Sequence, residues 1–217
     1  MLKADLHIHT QYSMDCSSPP DKIIRRCEQL GINCIAVADH GTVQGALEMQ
    51  KIAPFRVIVA EEILTPHGEI MGMFLRETIP SGISVPEAIR AIREQGGLVN
   101  IPHPFDTVRA SAMKRKTLEE IVNDIDLIEV FNSRNILKRH SREALAFAQK
   151  HHIPGSAGSD AHGIPEIGNA VLEMPEFSGK DDFLEVLKRA RVSGQRSNPM
   201  IHFNSSWEKI RKHFKKR

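Results

Sequence analysis

Short apolar runs of strand length alternate along the chain with stretches of helical period. Asp5-Leu6-His7-Ile8-His9 alternates with period two, the mark of a half-buried strand. Ser18-Pro19-Pro20-Asp21 then reads as a helix start, with Ser18 as N-cap and Pro19 in the first turn. Ile23, Ile24, Cys27 and Leu30 share one helical face, and Gly31 supplies the stop. The unit recurs. Further strands are expected at 34–38, 57–59, 98–101, 127–131, 153–158 and 170–174, with 68–74 returning as a hairpin. Helices are expected at 46–52, from the capping box Ser84-Val85-Pro86-Glu87 to Gly96-Gly97, from 117–120, at 137–149 and at 180–191. Strands interleaved with helices imply βαβ units and a mostly parallel sheet. About seven such units fit a closed barrel better than an open sheet. No Gly-rich nucleotide fingerprint follows the first strand, which weakens a dinucleotide-binding alternative.

Composition changes this picture little. The 217 residues are 41% hydrophobic and 26% charged, ordinary values for a soluble globular protein. No apolar run reaches membrane-spanning length, and charge enters the N-terminus too early for a secretory signal. Cys16, Cys27 and Cys34 form an odd set without metal-finger spacing, which points to a reducing, cytoplasmic setting. Charge does divide the chain. The segment 207–217 carries six Lys/Arg against one Glu, so the overall +2 leaves 1–206 slightly acidic. We read 1–206 as one domain and 207–217 as a basic C-terminal helix or tail. Trp207, Ile210 and Phe214 fall at helical spacing there, so a docking helix is favoured over nucleic-acid binding.

Candidate chemistry collects where the expected strands end. His7 and His9 close the first, His40 the second, Glu61-Glu62 the third, His103 the fourth, Asn132 the fifth, and Asp160 with His162 the sixth. In a barrel of parallel strands all carboxyl ends lie on one rim, so residues far apart in sequence converge. Imidazole and carboxylate together suit Zn²⁺, Mn²⁺ or Fe²⁺. His67, His140, His151, His152, His202 and His213 sit in turns, on helix faces or in the tail and receive no role.

The segments Asp5-Leu6-His7-Ile8-His9-Thr10, Ala38-Asp39-His40-Gly41-Thr42, Glu62-Ile63, Pro102-His103-Pro104 and Gly158-Ser159-Asp160-Ala161-His162 together resemble the PHP (polymerase and histidinol phosphatase) domain family. The resemblance spans nearly the whole chain in the right order. It implies an α/β fold, a distorted seven-stranded (β/α)7 TIM-like barrel in a single domain. It also implies a cluster of two to three divalent metal ions and hydrolysis of phosphate esters. By resemblance, His7, His9, Glu62 and Asp160 hold the first metal and act through the water it activates. Glu62 bridges to a second metal with His103, while Asp15, His40 and His162 hold a third. Many members place a further His after strand five. Here Asn132 stands there as a weak second-metal ligand. Glu62 is chosen over Glu61 because an apolar residue follows it; Glu69, in the hairpin where members often carry a His, is either a ligand or, the favoured reading, a solvated hairpin acid.

A phosphate also needs fixed cationic donors, and arginine offers bidentate geometry. Arg134, two residues beyond Asn132, is the first candidate, and Arg109 the second. The expected activity is a metal-dependent phosphoesterase acting on a small phosphorylated metabolite or nucleotide. A nuclease acting on oligonucleotide ends and a non-catalytic metal-binding PHP module are the alternatives.

Overall fold

The computed structural model describes residues 1–197. The segment 207–217 and its proposed docking helix lie outside them. The chain runs β1 (Leu2–Ile8), α1 (Pro20–Leu30), β2 (Cys34–His40), α2 (Gln44–Ile52), β3 (Arg56–Thr65) and β4 (Gly68–Met73). It continues through α3 (Val85–Glu94), β5 (Leu98–Ile101), α4 (Arg115–Glu120), β6 (Leu127–Asn132), α5 (Lys138–His151) and β7 (Gly155–Gly158). The described chain ends with β8 (Ala170–Met174), α6 (Lys180–Leu187) and β9 (Arg191–Gly194).

The sheet order is β7-β6-β5-β4-β3-β2-β1-β8-β9. Strands β1–β3 and β5–β7 are parallel, and β4 returns antiparallel between β3 and β5 as the expected hairpin. The edge of β1 is shared. Its start pairs antiparallel with β8 through Leu2–Ala4, while its end meets the chain just past β7. There Asp160 N donates to His7 O at 2.7 Å and His9 N to Ala161 O at 3.0 Å. These two bonds nearly close seven strands into a barrel, and β8–β9 is an appended hairpin.

Local chemistry explains most elements. In α3 the Ser84 side chain accepts from Glu87 N while the Glu87 carboxylate accepts from Ser84 N, the reciprocal cap expected there. Gly31 ends α1 in the left-handed region. Two of the boundaries that differ from the sequence reading have a visible cause. The N-cap of α1 is Pro19, with Pro20 as first helical residue, because Ser18 instead gives its carbonyl to Gln11 N in the loop after β1. The last expected helix stops at Leu187, a short turn follows, and Arg191 already opens β9, paired with β8.

Two apolar layers result. Ile35, Val37, Val57, Val59, Val99 and Ile128 face outward against Ile23, Met49, Ile92 and Phe147 of the helices. Leu2, Leu6, Ala36, Ile58, Met71, Met73 and Leu98 face the interior, where Phe183, Val186 and Leu187 of α6 join them at the strands' amino ends. Toward the carboxyl ends the interior turns polar.

Candidate metal centre

Strand alternation selects which side chains enter that polar end. In β3, Glu62 continues the inward series Ile58-Ala60, whereas Glu61 lies on the helix side and accepts from Ile79 N at 2.9 Å. Glu61 is buried, and burial pushes its carboxyl up to about 8. In β4, Glu69 shares the inward side with Met71 and Met73. In β1 a bulge between Asp5 and Ile8 adds one residue against β2. It resets the alternation, so that His7 and His9 face the same interior as Leu2, Ala4 and Leu6.

The structure brings together all eight residues singled out as ligands. His7 Nε2 and His9 Nε2 lie 3.2 Å apart. Glu62 Oε1 is 3.4 Å from His7 Nε2, Glu62 Oε2 is 3.4 Å from His9 Nε2, and Asp160 Oδ1 is 3.3 Å from His9 Nε2. His103 Nε2 lies 3.0 Å from Glu62 Oε1. Around Asp15, His40 Nε2 stands at 3.4 Å and His162 Nε2 at 3.3 Å. His9, Asp15, His40 and His162 each offer an atom to one small space, as do His7, His9 and Glu62.

Glu69 is not the solvated hairpin acid expected. It is buried, 3.4 Å from His103 Nε2 and 3.6 Å from His40 Nδ1, and it forms a third donor group with His40 and Glu62. Asn132 is also turned differently from its expected role. Its amide nitrogen donates to Glu129 Oε2 at 2.9 Å and Asp160 Oδ2 at 3.2 Å, while its oxygen accepts from Arg134 N. Glu69 Oε2, from β4 on the other side of β5, faces His103 alongside Glu62 Oε1.

Of the two arginines, Arg109 donates to Asp160 Oδ2 at 2.6 Å and keeps an exposed edge. Arg134 is buried, with Nη1 2.6 Å from His162 Nδ1 and Nε 3.3 Å from Glu166. His140, expected on an exposed helix face, is fully buried.

Several supporting residues escaped the sequence reading. Glu129 takes His7 Nδ1 at 3.1 Å and accepts from His103 N at 2.6 Å, which aims His7 Nε2 inward. Asp5 accepts from Ser159 N, Ser159 Oγ and Gly168 N, and so fixes the turn carrying Asp160. Asp39 accepts from Thr10 N and Oγ1, both at 2.6 Å, beside His9. Ser13 Oγ lies near His9 Nδ1, Asp15 and His40 N. The available signal was an acid within a strand otherwise apolar on both faces, as in Ile128-Glu129-Val130.

The electrostatics are those of an anionic cup. Burial opposes ionisation of Glu62, but His7, His40 and His103 outweigh it and hold its pKa well below the usual carboxylate range. Against the same cost, Arg109 and His7 hold Asp160 low. Burial works against the imidazolium of His7, yet Glu62, Asp160 and Glu129 raise its pKa well above the ordinary value. Burial, with His162 and His40 alongside, pushes His9 down to about 3. Such a set demands positive charge, from protons or from metal ions that replace them.

The donor set fits divalent ions. Metal–nitrogen and metal–oxygen bonds of about 2.0–2.2 Å place neighbouring tetrahedral or octahedral ligands about 3–3.5 Å apart, the spacing found here. Glu62 Oε2, Glu69 Oε2, Asp160 Oδ1 and His103 Nδ1 are moreover buried without a hydrogen bond. Native interiors rarely tolerate such orphans unless another partner takes them.

Comparison with known proteins finds relatives over most of the chain. A model of the PHP domain matches residues 5–96, and a PHP-associated model matches 138–192. An uncharacterised protein of Methanocaldococcus jannaschii is 35% identical over 198 residues, covering 86% of this chain and 79% of that one. A second from the same organism is 39% identical over 147 residues, covering 61% and 82% respectively. A solved structure from Bifidobacterium adolescentis, named as a candidate metal-dependent phosphoesterase, superimposes with a TM-score of 0.65 at 17% identity, covering 86% of this chain and 96% of its own. Sequence kinship over most of the chain and a shared fold thus converge, and the chain belongs to the PHP domain family.

Proposed function

We propose that this protein is a metal-dependent hydrolase of phosphate esters, acting on a small phosphorylated metabolite or nucleotide. The observation that carries the reading is the buried cup in which His7, His9, Glu62 and Asp160 converge at 3.2–3.7 Å, with Glu62 and Asp160 oxygens left without hydrogen bonds. These four would hold one ion. Glu62 would bridge to a second with His103 and Glu69, and Asp15, His40 and His162 would hold a third. Divalent ions of the Zn²⁺, Mn²⁺ or Fe²⁺ class supply there an acidified water and charge neutralisation for a phosphate.

The chain's own residues set the rest. Glu129 fixes the tautomer of His7, so that its Nε2 presents a lone pair to the cup. Asp5 and Asp39 brace the two turns on which Asp160 and His9 sit. Arg109 spends one nitrogen on Asp160 and retains further N–H donors for a phosphate oxygen at the rim. Arg134 lies deeper, beside His162, and would act on a phosphate held against the third donor group.

The test is elemental analysis of the purified protein, followed by phosphate release from histidinol phosphate, mononucleotides, nucleoside bisphosphates and short oligonucleotides. Bound divalent metal and turnover on a small ester, lost in His7→Ala and with a chelator, are expected. Greater activity on oligomers than on mononucleotides would favour the nuclease reading. Retained metal without turnover on any ester would favour a non-catalytic module.

A further inference from the structure

The segment after β5 carries both His103 and Arg109, yet residues 102–114 contain no helix or strand to hold Arg109 in place. Its support comes from α5. Phe105 packs its ring 5.6 Å from that of Phe147, with the Arg115 guanidinium 4.5 Å over its face. Beside it, His140 in the first turn of α5 is wholly buried, with Nδ1 3.4 Å from Asp106 Oδ1. Its Nε2 lies 3.4 Å from Thr107 N and 3.2 Å from Thr107 Oγ1. Thr107 N–H can only donate, so Nε2 must carry the lone pair and the proton must sit on Nδ1, which faces Asp106 without a hydrogen bond. Thr107 Oγ1 also takes Arg139 Nη2 at 3.0 Å, and Asp106 Oδ1 accepts from Val108 N at 2.9 Å. Thr107 is thereby held on the imidazole and Val108 on Asp106, immediately before Arg109. On the far side, Ser111 O accepts from Glu69 N at 2.7 Å.

We infer that His140 is a positioning residue for substrate phosphate: through Thr107, with Asp106 alongside, it holds the irregular segment so that the Arg109 guanidinium stands over the metal cup. The inference rests on the phosphoesterase reading for what Arg109 does. Its physical content is narrower, a coupling between a buried imidazole on α5 and an arginine that it does not touch. Without the Nε2 acceptor, Thr107 N–H loses its partner, the turn at 106–108 loosens, and Arg109 samples positions away from Asp160. A group that merely fills the core would change stability without caring whether Arg109 is present.

The experiment is a double-mutant cycle on the metal-loaded full chain, read as the Kd for inorganic phosphate and as kcat and KM on any ester the protein turns over. His140→Phe keeps volume but removes the acceptor, and should weaken phosphate binding by roughly 3- to 30-fold, as couplings between linked residues do. His140→Gln, which returns an acceptor near Nε2, should recover most of that loss. In an Arg109→Ala background, His140→Phe should cost nothing further. Thr107→Val, at an exposed position, gives a smaller loss of the same kind and serves should the core variant fold poorly. Equal phosphate affinity in wild type, His140→Phe and Thr107→Val, or an undiminished loss without Arg109, would overturn the inference. Phosphate binding that obeys the cycle in a protein that cleaves no ester would leave the inference standing and remove the phosphoesterase reading instead.

Discussion

Glu61 and Glu62 are adjacent, chemically identical and both buried, yet their surroundings give them opposite work. Glu62 faces four imidazoles through its two oxygens, whereas Glu61 meets a backbone amide on the helix side. A bridging carboxylate holds two cations together against their repulsion, so its loss should remove more than one of them. Metal content measured per chain should therefore fall further in Glu62→Ala than in His103→Ala, and stay unchanged in Glu61→Gln. Glu69→Ala should also lower it, because its Oε2, which makes no hydrogen bond, faces His103 while its Oε1 faces His40. Equal metal content in Glu62→Ala and wild type would refute the bridging role. Glu62, chosen from the sequence because an apolar residue follows it, is the one of the pair that faces the cup, and the period of two in Ile58-Ala60-Glu62 gives the reason. It could not place Glu69, because the side a hairpin acid faces depends on the register of the return strand.

At the scale of elements, the closure of β7 against β1 decides whether the rim residues meet. Gly158 lies against His7, and a Cβ there would fall 2.6 Å from His7 N and closer still to the His7 side chain. Gly158→Ala should therefore open the seam, costing at least the ~1–3 kcal/mol typical of overpacking, and should lower metal content together with the melting temperature. Unchanged melting and metal content would show that the seam is not tightly made. The α3 cap offers the contrast. Ser84→Ala should cost about 1 kcal/mol while leaving metal content and turnover intact, since the cap is far in the chain from any ligand. Capping box, hairpin and Gly31 stop were all legible because each is a local rule. The β1 bulge and strand β9 were not, since both depend on what a distant strand does opposite them.

Across the whole molecule, the interior is apolar where α6 closes the barrel and ionic at the opposite mouth. Asp15, Glu62, Glu69, Glu129 and Asp160 are buried in one region, with Arg109 and Arg134 as the neighbouring fixed cations. Buried acids in that excess destabilise a fold unless positive charge joins them. Chelation should lower the melting temperature by several degrees, since a ligand bound only to the folded state adds stability by mass action. Re-addition of metal should restore it, and Glu62→Ala should show a much smaller response. A wild-type melting curve indifferent to chelator would argue that protons alone satisfy the cup. Among the described residues no helix is long and apolar enough to cross a membrane.

The sequence by itself determined the alternation of strands and helices, the barrel class and, at the strand ends, seven of the eight side chains that meet at its mouth, while Asp15 came only with the family resemblance. Periodicity, caps and residue type act over a few positions, and parallel strands bring their carboxyl ends to one rim. Only the tertiary structure decided that Glu69 joins them, that Asn132 turns its amide toward acids, and that His140 is an interior strut. Each of these depends on which groups the fold places across a gap of a few ångströms. That distance is fixed by strand register and seam closure, which no short stretch of chain encodes.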